Sequence, residues 1–137
     1  MGYVFADITL KNAFDVMTCK HGQIKESEIR QKTVKAMVDT GAGTLVINEA
    51  IMQELGLDVD GEKVVTLANK TPERCKIAEP LEVHWKNRNM TCKPWVLKEE
   101  SHVLLGAIPL EDMDLIVDPA RGEVVGAHGD IEVGILY

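Results

Sequence analysis

Aromatic residues are scarce in this sequence, since only 4% of its 137 residues are Phe, Trp or Tyr. Its 15 basic residues are scattered, and 22 acidic residues give the chain a formal net charge of −7. Nucleic-acid interfaces usually combine a dense basic patch with stacking aromatics, and an acidic chain repels a phosphate backbone at long range. The composition therefore argues against a nucleic-acid partner.

Long apolar runs are also missing. The longest ones, such as residues 108–110 and 115–117, are far shorter than the about 20 apolar residues that a membrane-spanning helix needs. The start of the sequence lacks the basic segment followed by an apolar one that is typical of a signal peptide. We therefore expect a soluble, cytoplasmic protein without a membrane partner.

Cysteine is rare as well. Three widely spaced cysteines make no disulfide framework and suit a reducing compartment. A zinc site could be imagined from Cys75, His84, Cys92 and His102, but no two of these residues have the short spacing that is typical of zinc ligands. We therefore expect neither a metal site nor a cofactor.

Apolar residues alternate with polar ones along much of the sequence, and this pattern predicts short strands. Val34, Ala36 and Val38 share one face of a predicted strand over residues 33–38. The other predicted strands cover residues 3–10, 44–47, 63–69, 74–85, 90–97, 102–105, 115–117, 123–125 and 131–136. Polar residues 20–28 and 87–89 predict hairpin connections, and Pro80 predicts a bulge or a sheet edge.

Two short helices interrupt this pattern. The first is predicted after Asn48, which is a good N-cap, and before Gly56, which is a typical helix stop. The second is predicted over residues 110–113, with Pro109 in its first turn. Many short strands with one or two short helices predict a mainly-β, barrel-like fold, and the absence of a linker predicts one domain over residues 1–137.

The segment that carries chemistry is Ala-Met-Val-Asp-Thr-Gly-Ala-Gly-Thr-Leu-Val-Ile, residues 36–47. Asp39 ends an apolar strand and begins a turn that contains Gly41. Such a setting favours a carboxylate used as an acid or a base, although Asp-Thr-Gly alone is usually only a turn. A second apolar pair closed by glycine, Leu104-Leu105-Gly106, follows some way along the chain.

This ordered set closely resembles the retropepsin-like family of aspartic peptidases. The resemblance implies a retropepsin-like closed acid-protease β-barrel with Asp39 as the catalytic carboxylate, supported from below by Leu104-Leu105-Gly106. It implies that Thr40 bonds across to a partner's loop and that Gly41 and Ala42 bind the substrate backbone. It also implies a flap whose tip, with Ala68, Asn69 and Lys70, closes over a peptide or protein substrate. That tip lacks the glycine-rich sequence of viral members.

Aspartic peptidases need two carboxylates that share one proton, because two charges so close together cannot both be ionised. The chain contains one Asp-Thr-Gly and is too short for two lobes. We therefore expect a homodimer in which each subunit supplies Asp39, so that the active site exists only in the dimer. The resemblance gives the terminal segments, residues 3–10 and 131–137, a place in the dimer interface.

Two other functions remain open at this stage. The first is a non-catalytic module of the same fold that serves in dimerisation or peptide binding. The second is nucleotide binding, because Asp39-x-Gly41-x-Gly43-Thr44 also resembles the phosphate-binding hairpin of actin-like ATPases. Those proteins need a second phosphate loop and a much longer chain, and no Walker-type sequence occurs here.

Overall fold

Strands form most of the regular structure in the computed structural model, which describes residues 3–66, 69–98, 102–134 and 136. The strands are β1 (Phe5–Asn12), β2 (Gln31–Val38), β3 (Leu45–Ile47), β4 (Val59–Thr66), β5 (Pro72–Ala78), β6 (Leu81–Trp85), β7 (Arg88–Cys92), β8 (Trp95–Val96), β9 (Leu104–Leu105), β10 (Leu115–Asp118) and β11 (Glu123–Gly126). The helices are α1 (Ala13–Lys20), α2 (Glu49–Glu54) and α3 (Ala107–Asp112), with a 3-10 turn at Glu26–Glu28. The predicted mainly-β class is confirmed.

Nine strands make one sheet in the order β4-β5-β8-β3-β9-β2-β1-β6-β7, and β10 and β11 pair as a separate hairpin. The short strand β9 lies between β2, to which it is parallel, and β3, to which it is antiparallel. Because β2 and β3 are joined by the Asp39 turn, β9 lies directly beside that turn. Its residue Leu105 is fully buried and belongs to the hydrophobic core.

Helix α1 was not predicted, so the described residues contain three α-helices where one or two were expected. Asn12 caps it, because its side-chain oxygen accepts a hydrogen bond from the Asp15 amide at 3.1 Å. The Asn12 side chain also donates to the Leu55 carbonyl at 2.8 Å, and Asp15 pairs with Arg30 at 2.8 Å. These buried contacts to distant residues stabilise a helix that local periodicity does not reveal.

The other two helices agree with the sequence. The Asn48 side chain accepts from the Ile51 amide at 2.9 Å, as expected of an N-cap, and Gly56 follows α2 with a φ of 65°. Helix α3 begins at Ala107, three residues before the predicted start, because Gly106 is its N-cap. Pro109 lies in its first turn as predicted.

Several strand and turn predictions were wrong in part, including the strand over residues 90–97, which is divided into β7 and β8 at distant places in the sheet. Pro80 does not bulge a single strand over residues 74–85 but separates β5 from β6, which occupy distant places in the sheet. Arg88 is not at a hairpin tip, since the turn precedes it and it begins β7 with 1% of its surface exposed. Residues 131–134 are not in a strand, because none of the described strands pairs with them, and residue 135 of the predicted strand lies outside the described residues. Within the described residues, no helix is both long enough and apolar enough to cross a membrane.

Candidate active site

The Asp39 turn follows directly on the last residue of β2. The Gly41 amide donates to the Asp39 carboxylate oxygen Oδ1 at 3.0 Å, and the Ala42 amide donates to the Asp39 carbonyl at 3.0 Å. These two bonds close a compact turn of the kind that Asp favours. Asp39 is half-buried whereas Thr40 and Gly41 are exposed, so the turn presents its polar groups at the surface of the subunit.

The turn is held from beneath by β9 and the start of α3. The Asp39 amide donates to the Leu105 carbonyl at 3.1 Å. On the far side of the turn, the Ala107 amide donates to the Ala42 carbonyl at 3.0 Å and the Ile108 amide to the Gly43 carbonyl at 3.2 Å. Leu105 therefore supports the turn at its Asp39 end, as predicted, and the two residues after Gly106 support it at its far end through backbone hydrogen bonds.

The predicted flap is a real hairpin. Strands β4 and β5 are antiparallel and pair as far as Thr66 and Pro72, so the described residues 69–71 lie at its tip. Asn69 and Lys70 are exposed there, and the Asn69 side chain accepts from the Thr71 amide at 3.0 Å. Ala68 lies outside the described residues. The hairpin is separate in sequence from the Asp39 turn, and the part of its tip in substrate binding stays a prediction.

An ion pair that the sequence pattern did not predict joins the flap hairpin to α2. Lys76 of β5 donates to Glu49 at 2.8 Å. This hydrogen bond lowers the pKa of Glu49 and raises the pKa of Lys76. The helix carrying Glu49 follows β3, which leaves the Asp39 turn, so the pair connects strand β5 of the flap hairpin with the helix that follows that turn.

The four residues that could be imagined as zinc ligands do not make a site. Within the described part of the chain, no three His, Cys, Asp or Glu side chains are grouped closely enough to hold a metal ion. Cys75 is fully buried on β5, and its thiol points to the Val96 carbonyl at 3.5 Å. Burial raises the pKa of the Cys75 thiol and raises that of the Cys92 thiol to about 12, so both are poor ligands and poor nucleophiles at neutral pH.

A family model described as "Aspartyl protease" matches residues 26–108, which include both the Asp39 turn and Gly106. The chain belongs to the aspartyl protease family. No curated protein sequence matches it. The match covers well over half of the sequence, and it leaves out β10, β11 and the residues that follow them.

Solved structures show that the chain has the retropepsin-like fold. It is similar to the retroviral protease-like domain of Ddi1 from Leishmania major, with a TM-score of 0.59, 17% identity and coverage of 100% of this chain and 96% of the other. It is also similar to a retropepsin-like aspartic protease from Rickettsia conorii, with a TM-score of 0.53, 20% identity and coverage of 85% of this chain and 77% of the other. A third similar structure is EIAV protease in complex with the inhibitor HBY-793, with a TM-score of 0.58, 14% identity and coverage of 81% of this chain and 88% of the other.

Proposed function

We propose that this aspartyl protease hydrolyses peptide bonds with a water molecule activated between two Asp39 carboxylates, one from each subunit of a homodimer. The observation that carries the proposal is the Asp39 turn itself. Its carboxylate lies at the surface of the subunit, on a turn fixed by hydrogen bonds from Gly41 and Ala42 and to Leu105. A fixed carboxylate that a second copy can approach is what a shared pair requires.

The reaction needs one proton shared by the two carboxylates. The ionised Asp39 removes a proton from water while the neutral Asp39 donates a hydrogen bond to the scissile carbonyl oxygen. The water oxygen then bonds to the carbonyl carbon, giving a tetrahedral intermediate. When the carbon–nitrogen bond breaks, the leaving amine takes up a proton and a carboxylic acid remains. Two carboxylates and water are sufficient for this chemistry.

The remaining residues of the turn and the flap are assigned by the same proposal. Thr40 bonds across the twofold axis to the partner's turn, and the backbone of Gly41 and Ala42 holds an extended peptide or protein substrate. The flap tip, with Ala68, Asn69 and Lys70, covers the bound peptide. All of residues 1–137 form one such domain. Its three free cysteines fit a reducing compartment, so the proposed location is the cytoplasm.

The test is hydrolysis of a random peptide pool between about pH 4 and about pH 7, the range in which shared carboxylates work as acid and base. Wild-type protein is compared with Asp39→Asn, and sedimentation gives the mass at each protein concentration. Asp58→Asn is the matched control, since Asp58 is an exposed carboxylate outside the turn. Cleavage that requires the dimer and Asp39, but not Asp58, would support the proposal.

Two results would contradict it. A folded dimer that binds peptides without cleaving any of them would favour a non-catalytic module with the same fold. A protein that cleaves as a monomer, or whose Asp39→Asn variant still cleaves, would place the chemistry elsewhere in the chain.

A further inference from the structure

Arg88 is the largest fully buried side chain among the described residues, with 1% of its surface exposed. A guanidinium is almost always charged, and burying it is costly unless its donors are paired. It starts β7, packs over the Trp85 ring at 5.8 Å, and takes no part in the site described above. Such a residue needs a structural or functional reason for its burial.

Its hydrogen bonds join two separate parts of the chain. Nη1 donates to the carbonyl of Met113 at 3.0 Å and to the carbonyl of Asp114. Nη2 donates to the carbonyl of Gly129 and, at 3.4 Å, to that of Ile131. The first two acceptors close the end of α3, whereas the other two belong to residues 127–134, which we call the C-terminal segment. One planar cation therefore fixes the distance between α3 and the C-terminal segment.

The end of α3 that Arg88 binds is connected to the catalytic turn. The same helix begins with Ala107 and Ile108, whose amides donate to the carbonyls of Ala42 and Gly43. Only four residues thus separate Ile108, which supports the turn, from Met113, whose carbonyl Arg88 binds. The position of the C-terminal segment is consequently set relative to Asp39 through one short helix.

A second set of contacts, made by the Asp114 carboxylate, also fixes the C-terminal segment. The Asp114 carboxylate accepts from the Val133 amide at 3.0 Å and lies 2.7 Å from His128 Nδ1. With the backbone held in this way, the side chains of Ile131 and Val133 remain 70% and 39% exposed. Apolar side chains on a fixed backbone are suited to burial against another chain.

A second copy of this chain is the partner that the geometry favours. A pair of Asp39 carboxylates puts the subunit boundary at the Asp39 turn, so surfaces attached to the turn are the ones that the second copy meets. Ile108, bonded through its amide to Gly43, has 59% of its surface exposed. It lines a cleft together with Ile116 and Val133, which brings the C-terminal segment to the same boundary.

We propose that Arg88 is a positioning residue, which holds the C-terminal segment in place for contact with the second subunit. The inference rests on the homodimer of the proposed function and adds the residue that arranges one of its contacts. Arg88 touches neither water nor substrate in the reaction. Its loss acts on the assembly of the active site and leaves the chemistry of an assembled dimer intact.

The test compares Arg88→Lys and Arg88→Met with wild-type protein. Lysine keeps the charge but cannot bind four carbonyls with a planar fork, and methionine keeps much of the apolar stem. Arg121→Met is the matched control, because Arg121 is an exposed arginine on the β10–β11 hairpin. Sedimentation gives the dimer dissociation constant, thermal unfolding verifies the fold, and hydrogen exchange reports on the C-terminal segment.

We expect the dissociation constant to rise roughly tenfold or more in both Arg88 variants, and to stay unchanged in Arg121→Met. The C-terminal segment should exchange faster, and the lost specific activity should return when protein concentration exceeds the new dissociation constant. A variant destabilised in general would not recover in this way. Folded Arg88 variants with an unchanged dissociation constant, or variants that dimerise fully and stay inactive, would overturn the inference.

Should neither Arg88 variant fold, Asp114→Gly decides the matter. It removes the carboxylate that holds Val133, and glycine tolerates the φ of 54° at this position. An unchanged dissociation constant there would overturn the inference, and a raised one would support it. Wild-type protein that dimerises without cleaving would remove the peptidase proposal alone, whereas wild-type protein that stays monomeric would overturn both.

Discussion

Gly106 lies so close to the backbone of Thr44 that a Cβ atom at position 106 would stand 2.3 Å from the Thr44 carbonyl oxygen. The same Cβ would be 2.5 Å from the Ala42 carbonyl oxygen, and real Cβ atoms essentially never come so near to backbone. The absence of a side chain at Gly106 therefore allows α3 to start directly against the Asp39 turn.

Substituting Gly106 by alanine should displace the Asp39 turn. Because the new Cβ meets backbone rather than a flexible side chain, we expect a loss of about 1–3 kcal/mol in the free energy of unfolding. Any cleavage activity should fall by more than the smaller folded fraction of the protein accounts for. The reason is that the substitution also shifts Ala42 and Gly43, which belong to the Asp39 turn. Urea unfolding and peptide cleavage measure the two effects.

Gly43→Ala is the control for stability, because a Cβ at position 43 has nothing within 4 Å. It lies in the same turn and should unfold at nearly the wild-type urea concentration. If Gly106→Ala were as stable as Gly43→Ala, the close contact with Thr44 would not be a constraint on the fold.

The Asp15–Arg30 pair should make stability depend on pH. Hydrogen bonds from Arg30 lower the pKa of the Asp15 carboxyl. An Asp whose pKa is lowered by folding stabilises the native state above its unfolded pKa of about 4, and this contribution disappears as the pH falls through the lowered native pKa. We expect Asp15→Asn to cost about 1–2 kcal/mol at neutral pH, since the Arg30 side chain is half exposed.

Urea unfolding at several pH values below neutrality measures this effect. The difference between wild-type protein and Asp15→Asn should shrink as the pH falls below about 4. Asp7→Asn, at an exposed site on β1, is the matched control and should follow the wild-type profile. A difference between Asp15→Asn and wild type that is independent of pH would argue against the ion pair as its source.

The buried Cys75 thiol and the partly buried Cys92 thiol should resist alkylation. Since the pKa of Cys92 is raised to about 12, only about one thiol in ten thousand is ionised at pH 8, and the thiolate is the reactive form. We expect iodoacetamide to leave Cys75 and Cys92 unmodified in the folded protein and to modify both in urea. Mass spectrometry of the digested protein measures this. Rapid modification of Cys92 in the folded state would mean that its surroundings are open to solvent.

The sequence predicted the parts of the fold that depend on local chemistry. Asp39 and Gly41 mark a turn, Asn48 and Gly56 delimit a helix, and Gly106 marks the support beneath the turn. The first four act through neighbours a few positions away or through their own backbone freedom, whereas Gly106 lies against the distant Thr44 and was predicted from the resemblance to the family. The structure confirms the turn, the helix and the support.

The features that sequence reasoning missed depend on distant contacts. Helix α1 is fixed by the pairing of Asp15 with Arg30 and of Asn12 with Leu55. Arg88 resembles an exposed hairpin residue between two asparagines, and only the fold brings its guanidinium to carbonyls 25 to 43 positions later in the chain. Polar residues whose partners are far away in sequence carry no periodic signal that reveals their burial.

Mixing wild-type protein with Asp39→Asn tests the shared active site most directly. At constant total protein concentration, with subunits fully exchanged, activity should follow the square of the wild-type fraction, so that an equal mixture keeps about one quarter of the activity. This is predicted because an active dimer needs Asp39 from both subunits. Activity that falls in direct proportion to the wild-type fraction would contradict the account, since each subunit would then carry a complete site.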